Sequence, residues 1–182
     1  MNLLSWDCRG GGNPRTVHDV ATLVQSHSPM FVFLCETRQK ASKMKIIRGR
    51  LGLHGFVGVD SNGLSGGLAL FWHESHQVTV LGTNDRFIDI AVSSPGGEQW
   101  RLTSVYGEPR VENRHLVWTK LQSLKQASDL PWVVIGDFNE ALWSFEHMSL
   151  TPRPEAQMAA FRDVLMTCEL VDLGFSGIPY TY

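Results

Sequence analysis

The sequence predicts an α/β sandwich in which two mainly antiparallel sheets pack face to face with helices on the outside. Short apolar runs of strand length recur along the 182 residues, separated by glycine, proline and asparagine. Four other segments read as helices, two of them with apolar residues at helical spacing. The order is strand, helix, strand, helix, a run of strands, helix, strand, helix. Antiparallel strands therefore dominate the middle, and helices flank both ends.

The elements follow from local chemistry. Asn2–Trp6 is the first strand, and Arg9-Gly-Gly-Gly-Asn-Pro14 is a loop. Val17, Val20, Ala21 and Val24 predict a helix over 15–27, which Pro29 stops. Met30–Cys35 is a dense apolar run ending at Glu36, and the basic stretch 39–50 reads as a helix. Strands are expected at 54–59, 67–72, 77–82, 86–92 and 100–106, with turns at Asn62-Gly63 and Pro95-Gly96-Gly97. Val111, His115, Leu116, Trp118, Leu121 and Leu124 predict a helix over 111–126. Pro131 precedes a strand at 132–136. Pro152 and Pro154 lead into a helix at 155–167, with Glu155 in the first turn, where the helix dipole favours an acid.

Composition narrows the function classes. The chain is 43% hydrophobic and 19% charged, as in ordinary globular proteins. A net charge of −2 provides no general attraction to nucleic acid, so a partner of that kind needs a local patch. Cys8, Cys35 and Cys168 are an odd count without metal-ligand spacing; Cys8 and Cys35, in or beside apolar runs, read as buried free thiols, which suggests a reducing compartment. MNLLSWDCRGG lacks the features of a signal peptide, and no apolar run approaches the ~20 residues needed to cross a bilayer. The expectation is a single domain over residues 1–182, intracellular (nuclear or cytoplasmic), with no membrane partner.

VVIGDFNE, residues 133–140, is the most informative stretch. A strand that reads as core ends abruptly in Asp137, Phe138 and Asn139. Gly136 lets the backbone turn tightly. In an extended chain Asp137 and Asn139 point to one side and Phe138 to the core. The acid can take a proton from water and the amide can donate to a phosphate oxygen. A plain strand-end turn explains the same residues. In FVFLCET, Glu36 stands at another strand end, where a carboxylate suits Mg²⁺ with its water and substrate-phosphate ligands, or is simply the first solvated residue. Asp7 in LLSWDCRG ends the first strand in the same way. Tyr106 in TSVYGEP ends another, with a phenol that can donate to phosphate or pack at the rim. Four strands each ending in a polar or aromatic group can converge on one rim.

LLSWDCRG, FLCET, SGGLALFW, VYGEP, PWVVIGDFNE and LVDLGFSGIPYTY, in this order, resemble the endonuclease/exonuclease/phosphatase superfamily. The likeness is strongest to the endonuclease-like domains of plant non-LTR retrotransposons, and it runs over essentially the whole chain. It implies a four-layered α/β sandwich and Mg²⁺-dependent (or Mn²⁺-dependent) phosphodiester hydrolysis, with DNA or another phosphate ester as partner. By the same resemblance Glu36 is the metal-binding glutamate and Asp137 the aspartate that orients or activates water. Asn139 contacts the scissile phosphate, and Tyr106 is a phosphate-contacting position. Asp7 replaces the family's usual asparagine; it could touch the metal, but it repels phosphate and gives up a donor worth about 3 kcal/mol in the transition state. Family members continue beyond Tyr180-Thr181-Tyr182 into a segment with further acidic and histidine residues. The expectation is thus a domain incomplete at its C-terminus, with the last strands missing. Two outcomes stay open: an endonuclease-like hydrolase of impaired activity, or an inactive retrotransposon-derived remnant that at most binds metal or nucleic acid weakly. A small-molecule or lipid phosphatase is a third. Oligomeric state is not indicated.

Other features read as structural. Arg38, Lys40, Lys43, Lys45, Arg48 and Arg50 suit a solvated helix face better than phosphate contact. His73 and His76 of HESH fit a loop between strands rather than a metal site. Trp72, Trp100, Trp118, Trp132 and Trp143 fit core packing, and Asp172 a structural role. Arg153 and Glu155 lie in PRPEAQ, which resembles a recurrent stretch in the plant relatives and carries no assigned role.

Overall fold

The computed structural model describes residues 2–147, 151–174, 176 and 177. These fall into two compact units: residues 1–106 with 130–137, and residues 107–129 with 138–182.

Among the described residues the first unit holds eight strands: β1 (Leu3–Asp7), β2 (Phe31–Cys35), β3 (Gly55–Val59), β4 (Leu68–Trp72), β5 (Gln77–Thr83), β6 (Phe87–Ser93), β7 (Gln99–Tyr106) and β8 (Trp132–Asp137). They form two four-stranded sheets, ordered β1-β2-β4-β3 and β5-β6-β7-β8. Each sheet is antiparallel except for one parallel pair, β1 with β2 and β7 with β8. Those two parallel pairs bring four strand C-termini into play, because Asp7 pairs with Cys35 and Tyr106 with Asp137.

β2 explains why Met30–Cys35 reads as an unbroken apolar run. Phe31, Phe33 and Cys35 face the second sheet, packing with Leu68, Leu70, Ile88, Ile90, Leu102 and Tyr106. Val32 and Leu34 face the other way, against α1 (Pro14–His27) and α2 (Ala41–Ile47). A strand covered on both faces loses the alternation of a half-buried one. Helix α1 starts where Asn13 Oδ1 accepts from the Arg15 amide at 3.0 Å, with Pro14 at the first position. Val17, Val20 and Val24 form its buried stripe. The expected helix over 39–50 is shorter: α2 ends at Ile47, and a 3-10 turn, Arg48–Leu51, follows. Gly49 weakens a continued helix here, and Gly52 closes the turn in the left-handed region at φ +67°. The remaining helices, α3 (Arg114–Gln126) and α4 (Glu155–Thr167), belong to the second unit, where Trp118 stacks on Phe161 with ring centroids 4.8 Å apart.

A polar cluster is buried in the second sheet. Arg101 donates through Nε and Nη2 to the two oxygens of Asp89 at 2.8 and 2.7 Å, and Thr103 Oγ1 donates to Asp89 at 2.7 Å. Trp132 Nε1 donates to Thr103 Oγ1 at 2.8 Å. HESH forms the loop between β4 and β5, where Ser75 Oγ lies 2.9 Å from His73 Nδ1 and 2.9 Å from His76 Nδ1. All three cysteines are buried and free. Burial pushes the Cys8 thiol up to about 11 and that of Cys35 higher still, so both stay neutral and unreactive. Trp143 departs from expectation. It is 48% exposed, and its ring lies 4.5 Å from the Arg162 guanidinium carbon. A cation over the indole face supplies the contact that a core neighbour would. The final motif, LVDLGFSGIPYTY, lies partly outside the described residues; Asp172 within it is exposed and accepts the Gly174 amide at 3.1 Å. Among the described residues no helix is long and apolar enough to cross a membrane.

Candidate functional site

Four of the five expected site residues, Asp7, Glu36, Tyr106 and Asp137, stand at strand ends of the first unit. Asp7 is the last residue of β1 and Glu36 the first after β2, side by side because β1 and β2 run parallel in register. Tyr106 closes β7 opposite Asp137, the last residue of β8. The packing of the two sheets through Cys35 and Tyr106 joins the two pairs. The Tyr106 hydroxyl donates to Glu36 Oε1 at 2.6 Å across 70 residues of sequence.

Glu36 is held in an unusual backbone. Its φ is +48°, in the left-handed region that costs a non-glycine residue about 1–2 kcal/mol. The next residues anchor that turn: the amides of Thr37 and Arg38 donate to the carbonyls of Gly67 and Gly66 at 3.1 and 2.9 Å, and the Thr37 carbonyl accepts from Gly11 at 2.7 Å. Gly67 has φ +86°, and a Cβ there would lie 2.4 Å from Thr37 Oγ1. At β8, Gly136 has φ +147°, and a Cβ would lie 1.9 Å from the Val105 carbonyl oxygen. The glycine of GDFN thus permits close approach of β7 as well as a tight turn.

The electrostatics are those of crowded acids. Burial raises the Asp7 carboxyl above its ordinary value, and the charges of Glu36 and Asp137 push it further against hydrogen bonds from Arg9. Burial also acts upward on Glu36, but hydrogen bonds from Tyr106 and Arg38 outweigh it and leave the carboxyl below its ordinary value. Arg38 Nη2 donates to Glu36 Oε2 at 2.8 Å, and Arg9 Nε to Asp7 Oδ2 at 3.3 Å. Burial, then the Glu36 hydrogen bond and charge, hold the Tyr106 phenol far above its ordinary value, so it remains a donor throughout the physiological range.

The donor set suits a hard divalent cation. Asp7 and Glu36 supply carboxylate oxygens at neighbouring strand ends, and Mg²⁺ commonly takes one or two carboxylates with water completing its shell. Each Glu36 oxygen accepts one hydrogen bond and retains a second lone pair. Among the described residues, no group of three or more His, Cys, Asp or Glu forms a metal cluster.

Asn139 belongs to the second unit, and its local structure differs from expectation. β8 stops at Asp137, and Asn139 has φ +54°, so the alternation of an extended chain does not govern where its side chain points. Its Nδ2 donates to the Gly107 carbonyl at 3.0 Å. Phe138 packs on Phe161 of α4, centroids 5.2 Å apart. Sequence reasoning missed Glu140, whose side chain is 1% exposed and ion-paired to both Arg114 and Arg153 at 2.5 Å. The only local signal was an acid directly after GDFN, which by itself reads as solvated.

The model of the Endonuclease/Exonuclease/phosphatase family matches residues 4–181. Among solved structures, an AP endonuclease from Archaeoglobus fulgidus aligns with TM-score 0.72 and 18% identity, covering 91% of this chain and 70% of that one. The AP endonuclease LMAP from Leishmania major aligns with TM-score 0.68 and 14% identity, covering 92% of this chain; this chain spans 66% of its length. The endonuclease domain of TRAS1, a telomere-specific non-LTR retrotransposon, aligns with TM-score 0.67 and 12% identity over 96% of this chain and 74% of that one. At these identities the likeness is one of fold, the α/β sandwich. A search of curated proteins finds no match.

Proposed function

Since the chain belongs to the Endonuclease/Exonuclease/phosphatase family, we propose that it is a phosphodiester hydrolase of endonuclease type, with Mg²⁺ as cofactor and DNA as substrate. The observation that carries the reading is the Tyr106–Glu36 hydrogen bond at a rim shared with Asp7 and Asp137. Three carboxylates gathered at strand ends of one unit are costly for stability alone, and a cation-dependent reaction gives them a use. Glu36, with Asp7 beside it, would hold the metal; a bound Mg²⁺ supplies Lewis-acid stabilisation of charge on a phosphoryl oxygen. Asp137 accepts a hydrogen bond or proton from the attacking water. Tyr106 keeps its proton, orients Glu36 and presents a phenol edge to the phosphate. Asn139 supplies an amide donor to a phosphate oxygen. The retrotransposon-derived setting rests on the motif resemblance and on the TRAS1 likeness.

Supercoiled plasmid incubated with purified protein and Mg²⁺ tests this. Nicking by the parent that disappears in both Glu36→Ala and Asp137→Ala is the expected result. Nicking that survives both substitutions, or a parent that binds Mg²⁺ without nicking, overturns the reading; the latter outcome identifies a binding remnant. A second reading has its own observation. Asp7 and Glu36 each form an ion pair with an arginine, Arg9 at 3.3 Å and Arg38 at 2.8 Å, which compete with a cation for the same carboxylates, as an inactive remnant would allow.

A further inference from the structure

Asn139 holds a left-handed backbone at φ +54°. Asparagine tolerates this better than most residues, yet the conformation persists only where surrounding structure enforces it. Two contacts do so. The Asn139 side chain donates to the Gly107 carbonyl, and Arg153 Nη1 donates to the Asn139 carbonyl, each at 3.0 Å. Gly107 has no side chain to spare at this point: a Cβ there would lie 2.0 Å from the Phe138 carbonyl oxygen.

Arg153 is itself fixed. The same Nη1 donates to Glu140 Oε1 at 2.5 Å, and the other Glu140 oxygen accepts from Arg114 Nη1 at 2.5 Å. Arg114 is locked further by the carbonyls of Glu108 and Pro109 at 3.2 and 3.4 Å and by Gln157 Oε1 at 3.3 Å. Every member of this chain of contacts lies in the second unit. A carboxylate as buried as Glu140 is costly unless both oxygens are paired, and here each meets a separate guanidinium. One arginine would neutralise the charge. The second, arriving from the PRPE loop, ties the carboxylate to the Asn139 backbone.

We propose that Arg153 and Glu140, braced by Arg114, are positioning residues for Asn139, holding its left-handed turn so that the amide is presented to a phosphate. The presentation step rests on the reading of Asn139 as a phosphate donor; the positioning step does not. Arg153 touches no reacting atom and acts through the Asn139 carbonyl.

The test is NMR on the full chain, following the backbone carbon shifts of Asn139, its side-chain amide pair, and the response of that pair to added inorganic phosphate. In Arg153→Met, which keeps length and loses every donor, Asn139 should lose its left-handed shift signature and its response to phosphate should weaken at least fivefold. Arg153→Lys places one ammonium where Nη1 makes both contacts and should restore much of each signal. If Arg153→Met fails to fold, Glu140→Gln is read in the same way. Unchanged Asn139 signals in a folded variant with lowered Tm would overturn the proposal and leave Arg153 a purely structural residue. Loss of the left-handed signature, in a protein whose parent shows no phosphate response at Asn139, upholds the positioning role and overturns the functional reading instead.

Discussion

Tyr106 donates its phenolic hydrogen to Glu36 at 2.6 Å, joining the end of β7 in one sheet to the end of β2 in the other. Because burial and the adjacent carboxylate both keep the phenol protonated, the bond persists as pH rises, and it leaves Glu36 ionised and oriented.

Tyr106→Phe removes that bond while keeping the ring. Stability should fall by about 1.5–3 kcal/mol, the usual worth of a hydrogen bond to a charged group. Glu36 lies below its ordinary 4.5 when folded, so its contribution is present above that pH and is lost as pH falls through the folded value. The variant should therefore show a shallower acid loss of Tm and a higher Glu36 midpoint by carboxyl NMR. An unmoved midpoint would contradict the assignment.

Asp7→Asn exchanges a repelled carboxylate for a neutral donor. The charges of Glu36 and Asp137 oppose ionisation of Asp7, so the neutral residue should raise Tm at pH 7. Asp7 has a raised value, so the parent regains stability as it protonates on acidification, and the advantage of the variant should shrink at low pH. Plasmid nicking should rise on the order of 100-fold if the restored donor to the phosphate outweighs the metal contact that Asp7 gives up. A variant less stable than the parent at pH 7 would refute the electrostatic account.

Arg101 and Asp89 are 2% and 3% exposed in their side chains and share two hydrogen bonds. Removing one partner leaves a buried charge, which costs about 3–5 kcal/mol. For a chain of this length Asp89→Ala or Arg101→Met should lower Tm by roughly 6–20 °C. The exposed Lys125–Glu169 pair is the contrast, and Glu169→Ala should leave Tm nearly unchanged. Calorimetry showing similar effects at both sites would mean that burial does not set the difference.

His76 packs edge-on against Phe31, centroids 5.4 Å apart. Burial, then the neighbouring His73, hold its imidazole below its ordinary 6.5. Its stabilising neutral form is fully present above about pH 6.5 and is lost as pH falls through the folded value. Tm should decline as pH falls below about 6.5, and His76→Phe should flatten that decline. An NMR titration midpoint at or above 6.5 would overturn this.

The strand ends were readable because each combines two local signals, an apolar run and an abrupt polar residue. Asp7, Glu36, Tyr106 and Asp137 all carry both, and all four stand at strand ends in the first unit. Asn139 was readable as a candidate but not in its conformation, because a left-handed turn after Asp137 breaks the alternation on which the reading relied. Trp143 looked like core from its neighbours in sequence, yet an arginine on α4 covers it instead.

Periodicity and turn chemistry act over a few residues, so the order of strands and helices was already written in the chain, down to the glycine that lets β8 approach β7. Pairing acts over tens of residues. Nothing near Glu36 announces a phenol 70 positions away, and nothing near Glu140 announces that Arg114 and Arg153 enclose it. Those partnerships arise when packing removes water from charged groups, since a desolvated carboxylate must find donors wherever the fold delivers them.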